Sequence, residues 1–214
     1  MKKHRLNGLY CITDPTLTAQ SALTIEDMVQ AAIAGGAKII QYRDKQASPS
    51  EQTDIAHRLC QLCQQQQVTF LVNDNPQLAK TVDADGVHLG QSDTGLREAR
   101  DLLGKDKIIG ISCHASLALA MTAQQQGADY VAFGRFFTSQ TKPEASPAPI
   151  ELLNEARTAL SIPVVAIGGI TLDNAGPLLM AGADMLAVIH AVFGQANIQQ
   201  AANLFAELFE KRRA

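Results

Sequence analysis

The feature that most constrains this chain is a repeat: a short β-branched or apolar run followed by a longer amphipathic segment, eight times from end to end. The strand candidates are Gly8 to Thr13, Lys38 to Tyr42, Thr69 to Val72, Gly86 to Leu89, Ile108 to Ile111, Tyr130 to Phe133, Pro163 to Ile167 and Met185 to Ile189. Apolar residues three and four apart predict helices over Ile25 to Ala34, Pro49 to Gln66, Pro76 to Val82, Thr94 to Leu103, Leu117 to Gln126, Ile150 to Ala159, Asn174 to Ala181 and Ile198 to Lys211. Gly35, Gly104, Gly127 and Gly182 stand just past the last turn of four of these, a common helix stop.

Strands buried on both faces read as continuous apolar runs, and VVAI at 164–167 and LAVI at 186–189 do so. Three junctions look alike: Ala-Gly-Gly-Ala before strand two, Gln-Gly-Ala-Asp before strand six and Ala-Gly-Ala-Asp before strand eight. Eight βα units close naturally into an α/β fold, a single (β/α)8 TIM barrel domain over 1–214. An open doubly wound sheet usually carries a glycine-rich dinucleotide fingerprint after strand one, where this chain has Thr13-Asp14-Pro15. With 214 residues against the roughly 250 typical of such barrels, little room is left for another domain. The longest irregular stretch, 134–149, holds three of the eight prolines and is expected to be a mobile active-site lid.

The net charge is −3 with both signs interleaved, which argues against nucleic acid or an anionic membrane as partner. No apolar run approaches the ~20 residues that span a bilayer. The basic start is followed by only a six-residue apolar stretch, too short for a signal peptide's core. Cys11, Cys60, Cys63 and Cys113 are scattered through apolar segments, which fits a reducing cytoplasm better than a disulfide framework. The C-x-x-C of Cys60 and Cys63 lies in a helical stretch with no second Cys or His pair nearby and reads as small residues on a helix.

Reactive groups of such a barrel sit at the C-terminal ends of its strands, and there the polar residues gather. Strand two ends in Gln41, Tyr42, Arg43, Asp44 and Lys45, strand three in Asn73 and Asp74, strand four in His88 and then Gly90, Gln91, Ser92 and Asp93. Strand five ends in Ser112, Cys113 and His114, strand six runs into Gly134, Arg135 and Thr138 to Lys142, strand seven into Gly168 and Gly169, and strand eight into His190. No P-loop, H-E-x-x-H helix or G-x-S-x-G elbow is present. Arg43, Lys45 and Lys142, with the hydroxyls of Ser139 and Thr141, suit a polyanion such as diphosphate.

Asp74 and Asp93 are hard oxygen donors suited to Mg2+, whose shell substrate phosphates and water complete. Singly, each reads equally well as a helix-terminal carboxylate, Asp74 by the dipole and Asp93 as the cap of a helix starting at Thr94. With Lys45 and Asn73 beside them, the metal pair is the better reading. Gly168 and Gly169 leave backbone N–H groups for a second phosphate, beyond merely permitting a tight turn. His4 and His57 look like surface residues, His88 a satisfied core residue, and His190 a binding residue at the second phosphate.

Seven motifs in order, L-Y-C-I-T-D at 9–14, Q-Y-R-D-K at 41–45, V-N-D at 72–74, D-G-V-H-L-G-Q-S-D at 85–93, I-G-I-S-C-H at 109–114, S-Q-T-K at 139–142 and V-A-I-G-G-I-T at 165–171, resemble the thiamine-phosphate synthase family. The resemblance implies a Mg2+-assisted transferase that joins hydroxymethylpyrimidine diphosphate to thiazole phosphate, two small phosphorylated substrates, and leaves the oligomeric state open. It implies pyrimidine-diphosphate contacts at Gln41, Tyr42, Arg43, Asp44, Lys45, Asn73, Ser112 and Lys142, of which Arg43, Lys45, Ser112 and Lys142 serve catalysis. It further implies metal ligands at Asp74 and Asp93, and thiazole-phosphate contacts at Ser139, Gln140, Thr141, Gly169, Ile189 and His190.

Two positions depart from the pattern: Thr138-Ser139-Gln140-Thr141-Lys142 stands where many members have Pro-Thr-x-Thr-Lys, and His190 where many have Ser. A related thiazole tautomerase of the same fold carries a His after the strand-six glycine, where this chain has Arg135. A non-catalytic phosphate-binding barrel would have no need of both the acidic pair and Lys142.

Overall fold

A computed structural model describes residues 6–138 and 147–212. Eight parallel strands, β1 (Gly8–Ile12), β2 (Ile39–Tyr42), β3 (Thr69–Asn73), β4 (Gly86–Leu89), β5 (Ile108–Ser112), β6 (Tyr130–Phe133), β7 (Val164–Ile167) and β8 (Met185–Val188), close in sequence order, with β8 paired back to β1. Helices α1 (Pro15–Gln20), α2 (Ile25–Ala34), α3 (Pro49–Gln65), α4 (Pro76–Thr81), α5 (Leu96–Leu103), α6 (Leu117–Gln125), α7 (Glu151–Ala159), α8 (Leu172–Ala181), α9 (His190–Phe193) and α10 (Ile198–Lys211) lie between or after them. The predicted (β/α)8 barrel is therefore the fold, and all eight predicted strands form within a residue or so of the expected bounds.

Period-two alternation divides the core into two shells. Tyr10, Ile12, Ile39, Leu71, Tyr130, Ala132, Val165, Met185 and Ala187 fill the barrel. Leu9, Cys11, Ile40, Tyr42, Phe70, Val72, Val87 and Leu89 face the other way, into the layer beneath the helices. Both shells are apolar, which is why the strands read as unbroken hydrophobic runs.

Two helices go beyond the sequence expectation. Helix α1 starts at Pro15 because the Asp14 carboxylate accepts from the N–H groups of Thr16 and Leu17, and it buries no residue, so it carries no apolar stripe. Helix α9 has four residues, too few for periodicity to register.

The repeated junctions have a structural meaning. Asp85, Asp129 and Asp184, each at the N-terminal side of an even-numbered strand, clasp the preceding strand at two points. Their Oδ2 atoms accept from the N–H of Phe70, Ile109 and Val164 at 2.8, 2.9 and 3.0 Å. Their own N–H groups donate to the carbonyls of the same three residues at 3.0, 2.8 and 2.8 Å. At the Ala-Gly-Gly-Ala junction Lys38 makes the backbone bond alone, to Leu9 O at 2.9 Å.

All four cysteines are free and buried. Cys60 and Cys63 lie on the inner face of α3, and burial pushes their thiols up to about 11 and about 12, which makes the C-x-x-C a packing feature. Among the described residues, no helix is long and apolar enough to cross a membrane.

Candidate active site

A cavity of about 390 Å³ opens at the C-terminal ends of the strands, within the size range of small-molecule sites. Its lining includes Gln41, Arg43, Asn73 and Ser112 on one side and Gly168, Gly169, Ile189 and His190 on the other. Alternation explains the selection from Q-Y-R-D-K: Gln41 and Arg43 point into the barrel mouth. Tyr42 points outward into the strand–helix layer, where its buried hydroxyl has no partner among the described residues. This corrects the expectation of Tyr42 as a substrate contact. Asp44 likewise turns away from the cavity, accepting from the N–H groups of Gln46 and Ala47 at 2.8 and 3.0 Å to shape the turn after β2.

Arg43 is fixed by its main chain. The buried Thr13 hydroxyl accepts from Arg43 N–H at 2.9 Å and donates to Arg43 O at 3.3 Å, tying the end of β2 to the end of β1.

The acidic pair assembles where β3 and β4 end. Asp74 has a left-handed backbone, φ 60°, held by its N–H donating to His88 O at 2.8 Å, a strained conformation typical of functional sites. Lys45 Nζ lies 2.8 Å from Asp74 Oδ2. Asp93 Oδ2 accepts from Gly90 N–H at 2.7 Å, and the Asp74 and Asp93 carboxyls are close enough to influence each other's titration. Burial opposes charge on Asp74, yet Lys45, Asp93 and Asn73 together hold its carboxyl below the usual range. Burial raises Asp93, and the neighbouring Asp74 raises it further against the pull of the Gly90 N–H. Neither aspartate caps a helix: Asn75 caps α4 and Gly95 stands at the cap position of α5. Two adjacent carboxylates beside a lysine are a donor set that suits a hard cation. Among the described residues no cluster of three or more His, Cys, Asp or Glu side chains is present.

The opposite wall is built from backbone. Gly168 and Gly169 have φ of 102° and 65°, and a Cβ on Gly169 would fall 2.3 Å from Thr138 O. The glycines thus admit the start of the β6–α7 loop, whose Phe136 and Phe137 N–H groups donate to Ile167 O and Gly168 O at 3.2 and 3.0 Å. Asn174 Nδ2 holds Gly169 O at 3.0 Å from inside the α8 capping box. After β8, Ile189 leads into α9 with His190 at its first turn, the short extra helix that barrels of this kind set beside a phosphate.

The loop expected over 134–149 is tied at both ends, with Ala148 N–H donating to Arg135 O at 2.7 Å. Ser139, Gln140, Thr141 and Lys142 lie outside the described residues. The cavity also takes in His114 and Arg135, which the sequence places at strand ends without a role, and Tyr10, which it does not single out. The strand-end rule finds the first two by position, whereas Tyr10 sits mid-strand and carries no such signal.

The family model for thiamine monophosphate synthase matches residues 9–192. The chain belongs to the thiamine-phosphate synthase family. A thiamine-phosphate synthase of Alcanivorax borkumensis is 52% identical over 217 aligned residues, covering 100% of this chain and 99% of the relative. That of Marinobacter nauticus is 52% identical over 95% of this chain and 91% of its own. Among solved structures, the thiamine phosphate pyrophosphorylase of Pyrococcus furiosus superposes with a TM-score of 0.88 at 36% identity, covering 97% of each chain. In this thiamine-phosphate synthase family member the two walls of the cavity therefore belong to a transferase of thiamine biosynthesis.

Proposed function

We propose that the barrel joins 4-amino-2-methyl-5-hydroxymethylpyrimidine diphosphate to 4-methyl-5-(2-hydroxyethyl)thiazole phosphate, giving thiamine phosphate and diphosphate. The observation that carries this reading is a cavity walled by Arg43 and Asn73 on one side and by Gly168, Gly169 and His190 on the other, with the Lys45, Asp74 and Asp93 cluster beside the first wall. Lys45, Asp74 and Asp93 stand at the ends of β2 to β4, and Gly168, Gly169 and the start of α9 stand at the ends of β7 and β8.

In this reading Arg43, Lys45 and Asn73 hold the diphosphate, while Gln41 and Ser112 meet the pyrimidine end. Ser139, Gln140, Thr141 and Lys142 join on the strength of their sequence motif. Asp74 and Asp93 would hold Mg2+, which when bound supplies charge neutralisation for the diphosphate. Loss of diphosphate breaks the methylene C–O bond, and the electron pair leaves with the oxygen. Lys45 and Arg43 stabilise the negative charge that builds there, and the amino-substituted ring releases electrons to the methylene carbon. The thiazole nitrogen then donates its lone pair to form the new C–N bond. Gly169, Ile189 and His190 hold the thiazole phosphate so that the two reactants meet face to face, converting a bimolecular encounter into a near-unimolecular step. No protein nucleophile is required. The four buried thiols support a reducing, cytoplasmic setting.

The test is formation of thiamine phosphate and diphosphate by purified protein from both substrates, with Mg2+ and with a chelator. Metal-dependent product is the expected result. Isomerisation of a thiazole phosphate with no transfer would replace this reading with that of a tautomerase.

A further inference from the structure

Beneath Gln41 and Ser112 the barrel interior carries three polar side chains among apolar inward positions that include Ile39, Leu71, Val165 and Met185. Tyr10, Tyr130 and His88 link β1, β6 and β4 into one unbroken chain. Gln41 Nε2 donates to Tyr10 Oη. Tyr10 Oη lies 3.0 Å from Tyr130 Oη, which lies 2.8 Å from His88 Nδ1, and His88 Nε2 lies 2.9 Å from Ser112 Oγ. The rings are held in place, His88 stacked on Tyr130 with centroids 5.6 Å apart and Tyr10 edge-on to it at 6.2 Å. A Cβ at Gly110, opposite Tyr130 on β5, would fall 1.9 Å from Tyr130 Cζ, so the neighbouring strand is bare where that ring lies.

A phenol has one proton to donate, and burial raises both phenols well above their ordinary range, so each keeps it. Because Tyr10 accepts from Gln41, its own proton goes to Tyr130. Tyr130 then donates to His88 Nδ1, the imidazole carries its proton on Nε2, and Nε2–H donates to Ser112 Oγ. Two atoms are thereby turned toward the cavity that Gln41 and Ser112 line: the carbonyl Oε1 of Gln41 as acceptor and the hydroxyl proton of Ser112 as donor. The groups of this chain keep their sense together or reverse together.

We infer that Tyr10, Tyr130 and His88 are positioning residues that fix the donor sense of the cavity wall. They hold the Gln41 carbonyl toward the ligand and so select a pyrimidine presenting an amino N–H over one presenting a carbonyl at the same ring position. This rests on the pyrimidine diphosphate reading above and extends it from contact to discrimination. A polar site facing a ligand group of the wrong sense loses roughly ten- to hundredfold in affinity.

The experiment compares KM for the 4-aminopyrimidine diphosphate with Ki for its 4-oxo analogue as competitive inhibitor, at saturating thiazole phosphate and Mg2+. Tyr130→Phe keeps the ring over Gly110 but cuts the chain, freeing Tyr10 to donate to Gln41 Oε1 and turning the amide NH2 to the cavity. The expected result is a fall of about tenfold or more in Ki/KM, with KM rising, Ki falling and the KM for thiazole phosphate unchanged. Loss of packing alone would not move the two constants in opposite directions. Tyr10→Phe releases the amide without reversing it and is expected to give a smaller fall; it carries the test if Tyr130→Phe does not fold. An unchanged ratio in the folded variants, with normal wild-type turnover, would overturn the positioning role. Absence of wild-type turnover would instead overturn the function on which it rests.

Discussion

Lys45 Nζ stands 2.8 Å from Asp74 Oδ2 although the lysine side chain is 61% exposed. An ion pair that open to solvent adds little stability, so its consequence lies in the site. It compensates one of two adjoining carboxylates, while burial and the neighbouring Asp74 raise Asp93 above the usual carboxylate range. If Asp74 and Asp93 hold Mg2+ as proposed, removing the Asp93 carboxylate should abolish that hold without touching the glycine wall. Asp93→Ala is expected to lower kcat by about a hundredfold or more, the scale of several kcal/mol of lost charge stabilisation. KM for thiazole phosphate should stay within about twofold, since uniform binding at that wall is unaffected. Steady-state kinetics with each substrate varied in turn checks both halves, and equal turnover in the variant would sink the metal assignment.

The alternation that defines the strands was legible because each is a continuous apolar run bounded by polar residues, and the glycine stops marked the helix ends. Helix α1 escaped because Asp14 and Pro15 start it without any buried face, and α9 because one turn shows no period. The strand-end rule brought Gln41, Arg43, Asn73 and Ser112 to one cavity. It erred where a contiguous motif was taken whole, since period two from Ile39 already turns Tyr42 outward. His88 was legible as a buried residue. Its partners were not, because Tyr130 lies 42 positions and Ser112 24 positions away, and only closure of the barrel brings them together.

The aspartate clasps predict where the barrel is fastened. Asp184→Ala removes the Oδ2 acceptor of Val164 N–H and leaves the backbone half of the clasp. A hydrogen bond to a charged group is worth about 1.5–3 kcal/mol, which in a chain of this size lowers Tm by roughly 3–10 °C. Asp184→Asn, which keeps an acceptor, should lose less. Thermal unfolding of the two variants side by side checks the order, and equal losses would show that the side-chain half of the clasp contributes nothing.

Tyr42 offers the opposite case. Its hydroxyl is buried without a partner among the described residues, so the fold bears an uncompensated desolvation cost. Tyr42→Phe removes that hydroxyl at constant ring shape and is expected to stabilise the protein by about 1 kcal/mol. A rise in the urea midpoint at unchanged slope is the measurement. A fall would mean that the phenol has a partner in solution.

Gly169 couples the phosphate wall to the loop base. Its φ of 65° suits glycine, and a Cβ there would meet Thr138 O at 2.3 Å, with Phe137 C and O at 2.8 Å. All three obstacles are backbone, so no side chain can rotate away, and the Phe136–Phe137 segment must shift off the end of β7. Gly169→Ala should then displace the N–H groups proposed to face the thiazole phosphate while leaving Lys45, Asp74 and Asp93 in place at the ends of β2 to β4. A displacement on the ångström scale costs on the order of a hundredfold in rate. The loss should fall on kcat/KM for thiazole phosphate, with KM for the pyrimidine diphosphate little changed. Equal losses toward both substrates would mean that the loop base serves the whole cavity and that the two anion sites are not independent.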